Sequence, residues 1–214
     1  MRKRLKKNGK IKNAILEYVN ANAKTYIITI LILSIGIIIG IIFVNNTNET
    51  QQNQIGEYIN NFIDKIKGEY QISKSEVLKN SISNNLIITL VLWFLGSTII
   101  GMPLIYLTLA YKGYCIGYSI SAIIATLGIG KGIALILSSM LLQYIIYIPC
   151  ILSLAVSGIR LHKLIVENRH TENIKMQLTS HTIFCTIILI LLIIASLVET
   201  YISTNIANYV IKLY

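Results

Sequence analysis

Charged side chains are scarce in this sequence. Only 13% of its 214 residues are charged, whereas about a quarter are charged in a typical soluble domain. The mean hydropathy is +0.66, and the apolar residues form long runs instead of recurring at helical spacing. These features exclude an ordinary soluble domain and predict an integral membrane protein.

Cysteine is also scarce. The three cysteines, Cys115, Cys150 and Cys185, lie in apolar runs and have no CxxC spacing. They are typical of small buried hydrophobic residues, which argues against a disulfide framework and against a metal site.

Motifs for catalysis and cofactor binding are missing as well. The sequence has no HExxH, no GxSxG and no pair of carboxylates within an apolar run. We expect His162, His170 and His181, which share one polar segment, to be exposed histidines and not metal ligands. The glycine-rich stretch 128–132 is a turn, because no serine or threonine follows Lys131 and no strand precedes it. The sequence therefore predicts neither an enzyme nor a bound cofactor.

The apolar runs predict an all-α membrane protein with five transmembrane helices. About 20 apolar residues are needed to cross a bilayer core roughly 30 Å thick. Five runs meet this requirement: 25–44, 86–109, 113–128, 133–157 and 182–202. The block from Leu86 to Leu127 contains a single charge, Lys112, so we place a turn at residues 110–113 and expect an antiparallel hairpin. Residues 25–214 then form one membrane domain.

Two segments outside these runs have amphipathic character. Residues 1–24 are basic, and four apolar residues recur there at helical spacing: Ile11, Ile15, Tyr18 and Val19. This pattern predicts a helix in the cytoplasmic membrane interface, with a solvated basic tail as the alternative for residues 1–9. The loop 45–85 repeats the pattern, with Ile55, Ile59, Phe62, Ile63 and Ile66 on one helical face. A second helix should begin at the capping box formed by Ser73 and Glu76.

The distribution of basic residues predicts the orientation. With the N-terminus in the cytoplasm, thirteen of the nineteen basic residues lie on the cytoplasmic side and six outside, as the positive-inside rule requires. The C-terminus is then extracytoplasmic. The net charge of +10 does not indicate nucleic-acid binding, because only Tyr18 accompanies the basic N-terminal cluster.

Small residues mark predicted helix contacts, since they let helix backbones approach closely within a membrane. They are Gly36, Gly40, Gly96, Gly101, Gly113, Gly117 and Ser121. The four-residue spacing from Gly113 through Ser121 indicates either a contact within one chain or a surface for a homo-oligomer.

Glu199 is the one carboxylate embedded in an apolar run. A charge at the bilayer centre costs at least about 2.5–3.5 kcal/mol. Our hypothesis is a polar cluster of Glu199 with Asn84, Asn85 and Lys131 that joins the outer ends of the second, fourth and fifth helices. The alternative is a carboxylate that reaches the interface alone.

Several of these motifs occur together in a known order. They are Asn84-Asn85-Leu86, Leu92-Trp93-x-x-Gly96, Gly101, Tyr111-x-Gly113-x-x-x-Gly117 and the segment IASLVE ending at Glu199. In this combination the chain resembles the stage II sporulation protein M family of endospore-forming bacteria. It departs from the family at Ser203-Thr204-Asn205, where relatives often carry an aromatic residue and a Thr-Pro pair.

The resemblance implies a non-enzymatic scaffold in the mother-cell membrane at the septum. There it would localise the peptidoglycan-degrading stage II sporulation proteins D and P during engulfment. A subunit of a membrane transporter or permease is the alternative, suggested by Gln143 within an apolar run and by proline kinks at Pro103 and Pro149.

Overall fold

A computed structural model describes residues 13, 16–67, 73–167, 174–203, 205, 206 and 209. The described part of the chain is helical and contains no strand. After a short helical segment at residues 16–21, the helices are α1 (Ala23–Asn45), α2 (Glu49–Lys67), α3 (Lys74–Gly96), α4 (Gly101–Ile136), α5 (Leu142–Glu167) and α6 (Ile174–Val198). Two π-helical segments, Leu137–Leu141 and Glu199–Ser203, precede α5 and follow α6. The all-α prediction is confirmed.

Four helical runs in the described residues are long and apolar enough to cross a membrane. They are Ala23–Asn45, Lys74–Gly96, Gly101–Val166 and Ile174–Ser203. The third run has 66 residues, which would extend about 100 Å as one straight helix.

The chain reverses direction within this third run, at Gly128. Gly128 has φ 78° and ψ 168°, which are not helical angles. A Cβ atom added at Gly132 would lie 3.0 Å from the Cα atom of Ile124, although eight residues of straight helix span about 12 Å. The segments before and after Gly128 are therefore antiparallel neighbours.

The predicted turn at residues 110–113 is wrong. The chain turns at Ser97–Ile100, and α4 continues without a break through Lys112. Hydroxyl groups close the end of α3, because Ser97 donates to the carbonyl of Trp93 at 3.1 Å and Thr98 to that of Leu95 at 2.9 Å. The predicted boundaries 86–109 and 113–128 change accordingly.

The helices also extend beyond other predicted boundaries. Ser73 caps α3, as the sequence predicts, by accepting a hydrogen bond from the backbone N–H of Glu76 at 3.3 Å. The polar segment between the predicted helices 133–157 and 182–202 is largely helical, since α5 ends at Glu167 and α6 begins at Ile174.

α1 packs along α4 through glycine. A Cβ atom added at Gly36 would overlap the carbonyl oxygen of Ala110, and one added at Gly117 would overlap that of Ile37. A Cβ atom at Gly113 would lie 3.2 Å from the Cα atom of Gly36. The stripe of small residues on α4 is thus covered by α1 of the same chain, so a second copy would have to bind another surface.

The core lies among α3, α4, α5 and α6. Leu92, Ile105, Leu154 and Leu192 are fully buried in it. α2 lies over the reversal at Gly128 within α4, where Ile63 packs with Leu135 and with three partly buried neighbours, Ile59, Ile123 and Leu127. This arrangement encloses polar side chains between α2 and the bundle.

Candidate functional site

A carboxylate accepts hydrogen bonds from two other helices inside the bundle. Ser81 of α3 donates to Oε2 of Glu199, and the side-chain amide of Gln143 donates to the same oxygen at 2.7 Å. Because the donors come from α3 and α5, Glu199 joins three helices at one level.

Asn85 extends this network deeper along α3. Its side-chain amide donates to the carbonyl of Leu192 at 3.1 Å and to the hydroxyl of Ser196 at 2.8 Å. The Oγ atoms of Ser196 and Ser81 are 2.9 Å apart. Asn85 is therefore connected to Glu199 through two serines. In membrane proteins, such hydrogen bonds between helices are each worth about 0.6 kcal/mol on average.

The structure places the residues of the hypothesised cluster in different surroundings. Asn85 and Glu199 belong to one network, whereas Asn84 is exposed and lines the neighbouring cavity. Lys131 is exposed, three residues after Gly128. Ser81 and Ser196 were not predicted as members, because isolated serines in apolar runs carry no distinctive sequence signal.

Both π-helical segments lie beside this network. Leu137–Leu141 contacts Glu199–Ser203, and Glu199 itself is the first residue of the second segment. Single π-helical turns inside α-helices are rare and occur frequently at functional sites. Their pairing here marks the polar network as the candidate site.

A cavity of about 1060 Å³ adjoins the network. Residues from α1 to α5 and from both π-helical segments line it, and the polar ones include Asn80, Asn84, Lys112, Gln143, Tyr144 and Glu199. Cavities that bind small molecules are typically about 300–1,000 Å³ and combine apolar walls with a few polar groups. Lys112, predicted to lie in a cytoplasmic turn, is instead a half-buried residue of this wall.

The prediction that the histidines are exposed is wrong for two of them. His162 is 8% exposed and His181 is 4% exposed. Because α5 extends to Glu167 and α6 begins at Ile174, both histidines lie on helices and are buried in the bundle. Nδ1 of His162 is 2.9 Å from the carbonyl oxygen of Thr98. His170 lies outside the described residues.

His181 also pairs with a serine. Its Nδ1 is 2.8 Å from Oγ of Ser157, which matches the distance between a nucleophile and its base in covalent catalysis. Ser157 is 7% exposed and His181 is 4% exposed. Because both side chains are buried, we interpret the pair as a structural contact between α5 and α6.

The N-terminal segment 16–21 docks at this same end of the bundle. The ring of Tyr18 is 5.8 Å from that of Phe184, and the guanidinium carbon of Arg160 is 5.6 Å from the Tyr18 ring. Burial, and to a smaller extent Tyr26, raises the pKa of Tyr18 above its ordinary value. Of the residues predicted to form its apolar face, Ile11 and Ile15 lie outside the described residues.

Metal ligands do not cluster in the part of the chain that the structure describes. No group of three or more His, Cys, Asp or Glu side chains there could hold a metal ion. All three cysteines are free, and Cys150 and Cys185 are buried.

The long apolar helices and the polar network inside them define a multi-pass helical membrane protein. The family model described as stage II sporulation protein M matches residues 29–204. The chain belongs to this family, which confirms the resemblance in its sequence. An uncharacterised protein of Methanocaldococcus jannaschii is 25% identical over 197 residues, covering 86% of this chain and 97% of the relative. No solved structure matches the chain.

The hydrogen bond between Asn85 and Ser196 permits a direct energetic test. In a double-mutant cycle of Asn85→Ala and Ser196→Ala, we expect a coupling of about 0.6 kcal/mol and at most about 1.7 kcal/mol. Reversible unfolding of the purified chain in detergent measures it. A matched pair, Asn85→Ala with Thr108→Ala, should show no coupling, because the Thr108 hydroxyl donates within its own helix, to the carbonyl of Leu104. Equal couplings in both cycles would contradict the network.

Proposed function

We propose that this chain is a membrane scaffold that localises peptidoglycan-degrading partners at the septum during engulfment. Family membership over residues 29–204 makes it a sporulation-related membrane protein, and this observation carries the proposal. The partners that the resemblance implies are the stage II sporulation proteins D and P. In this proposal the chain assembles a peptidoglycan-remodelling complex in the mother-cell membrane and performs no catalysis itself.

A five-span topology supports this role. We infer five crossings because the chain reverses at Gly128, so the third helical run crosses twice. With the N-terminus in the cytoplasm, α2 and Gly128 lie outside and so does the C-terminus. Lys112 no longer counts as cytoplasmic, which leaves twelve basic residues inside against six outside. The positive-inside rule still favours this orientation.

α2 is the candidate surface for partners in the wall space. Its apolar face packs on the bundle through Ile59 and Ile63, which leaves the opposite face open to solvent. Tyr58 is 78% exposed and lies at the edge of the packed face, beside the cavity beneath α2. Exposed aromatic residues are frequent anchors of protein interfaces, so we expect the partners to contact α2 at Tyr58.

Deletion of the chain in sporulating cells tests the proposal. Cells without it should stop before engulfment with an unthinned septal wall, and fluorescently labelled hydrolases should disperse from the septum. A Tyr58→Ala variant should reproduce the dispersal at normal membrane levels, whereas Lys163→Ala, on the cytoplasmic side, should not. Normal engulfment in the deletion strain would refute the scaffold.

A permease subunit is the second candidate, favoured by the cavity lined by Gln143 and Glu199. Purification in mild detergent separates the two functions. Wall hydrolases in the isolated complex would support the scaffold, whereas a nucleotide-binding ATPase would support the permease.

A further inference from the structure

The cavity beneath α2 is lined by two side chains of opposite charge, Lys112 and Glu199. Each lies inside a helix that is apolar enough to span the membrane. Ionisable residues within such helices are rare, and they usually face a polar cavity and have a functional role. Both features therefore point to a ligand that enters this cavity.

The two charges lie at similar depths. Ser81, which is bonded to Glu199, is seven residues from the start of α3 at Lys74, so it lies about 10 Å below that end of the helix. Gly36 packs beside Ala110, and nine residues separate Gly36 from the end of α1 at Asn45. Lys112 follows Ala110 by two residues, which places its Cα atom about 10 Å below the same end of the bundle.

Neutral polar groups surround the two charges. Asn80 and Asn84 of α3, Ser119 of α4 and Gln143 of α5 line the same cavity. Amide and hydroxyl groups both donate and accept hydrogen bonds, so they can solvate either pole of a dipolar ligand. The wall also has an apolar part, which includes Ile55, Ile116 and Ala122. This part suits the hydrocarbon portion of an amphiphile.

We propose that this cavity binds a zwitterionic headgroup, with its phosphate at Lys112 and its ammonium at Glu199. Charge-assisted hydrogen bonds of this kind are about twice as strong as neutral ones. The volume of about 1060 Å³ admits a phosphoethanolamine group together with the adjoining glycerol carbons. The shared chemistry could come from a phospholipid of the outer leaflet or from a soluble glycerophosphoethanolamine. The proposal does not rest on the scaffold function, because lipid retention by the purified chain requires no wall hydrolase.

Lipid retention by the purified full-length chain tests the site. The chain is exchanged into detergent micelles that contain phosphatidylethanolamine or phosphatidylglycerol, and native mass spectrometry counts the lipids that remain bound. We expect retention of phosphatidylethanolamine at least about tenfold stronger, because phosphatidylglycerol lacks the ammonium group. Lys112→Gln should weaken retention about tenfold, and Lys112→Arg should restore it.

Glu199→Gln provides a readout that general destabilisation would not produce. This variant should lose the preference for phosphatidylethanolamine over phosphatidylglycerol while its phosphate contact at Lys112 persists. The matched controls Lys163→Gln and Glu57→Gln carry the same changes at exposed positions, and both should retain the wild-type preference.

Stabilisation by soluble glycerophosphoethanolamine in lipid-free detergent identifies the source of the ligand. A rise in unfolding temperature that Lys112→Gln abolishes would support a soluble zwitterion, and its absence with lipid retained would support a phospholipid. Equal retention of the two lipids by the wild-type chain would overturn the proposal. So would an unchanged lipid preference in a folded Glu199→Gln variant.

Discussion

Replacing Gly36 with leucine should destabilise the bundle by about 3 kcal/mol or more. Even a single added methyl group would overlap the carbonyl oxygen of Ala110, and backbone atoms cannot change rotamer to make room. α1 and α4 would have to separate along their whole contact, which removes the close packing on which helix association in membranes depends. The unfolding temperature in detergent, followed by size-exclusion chromatography with fluorescence detection, measures the effect.

Gly130 offers a matched control for this substitution. A Cβ atom at Gly130 meets nothing within 4 Å, and the residue does not have the positive φ of Gly128. Gly130→Leu should therefore leave the unfolding temperature close to that of the wild type. Gly113→Leu, which enters the same contact from α4, should behave like Gly36→Leu. Similar unfolding temperatures for the Gly36 and Gly130 variants would contradict the parallel packing of α1 on α4.

The class of fold was predictable because it depends on composition. Long apolar runs permit only membrane-spanning helices in a chain with so few charges, and the capping box at Ser73 fixed the start of α3. The four-residue spacing of Gly113, Gly117 and Ser121 correctly indicated close helix packing. Spacing alone does not identify the partner, because any helix with a complementary glycine satisfies the same pattern.

The position of the first hairpin turn could not be predicted from hydropathy. Lys112 is the strongest polar signal between Leu86 and Leu127, and hydropathy alone does not separate a lysine in a turn from one facing a cavity. The actual turn at Ser97–Ile100 depends on two hydroxyl groups that bond to the preceding carbonyls. Serine and threonine do the same inside membrane helices, so they are weak markers of a helix end.

The candidate site was predictable only in part, because serines again carry little signal in the sequence. Glu199 stood out because a carboxylate in an apolar run carries a large free-energy cost. Asn85 lies at the same depth in the membrane, as expected from the sequence. Their connection passes through Ser81 and Ser196, which only the three-dimensional arrangement reveals. The histidines show the converse error, since a polar neighbourhood in the sequence suggested exposure for His181 although helix packing buries it.

The part of α4 before Gly128 provides the decisive test of the five-span topology. From Gly101 to Gly128 the helix rises about 40 Å, more than the roughly 30 Å hydrocarbon core, so its two ends should lie on opposite sides of the membrane. In a chain without its native cysteines, we place single cysteines at Ile100, which is 70% exposed, and at Gly130.

A membrane-impermeant maleimide should label Gly130→Cys in intact protoplasts and Ile100→Cys only after permeabilisation. The expected contrast is nearly complete labelling against almost none, because a charged reagent does not cross the bilayer. Gln51→Cys in α2 should label together with Gly130→Cys, since both positions lie on the outer side in this topology. Labelling of Ile100→Cys and Gly130→Cys from the same side would show that α4 does not cross the membrane. The reversal at Gly128 would then be a re-entrant bend that returns the chain to the side from which it entered, so the chain would cross the membrane three times instead of five.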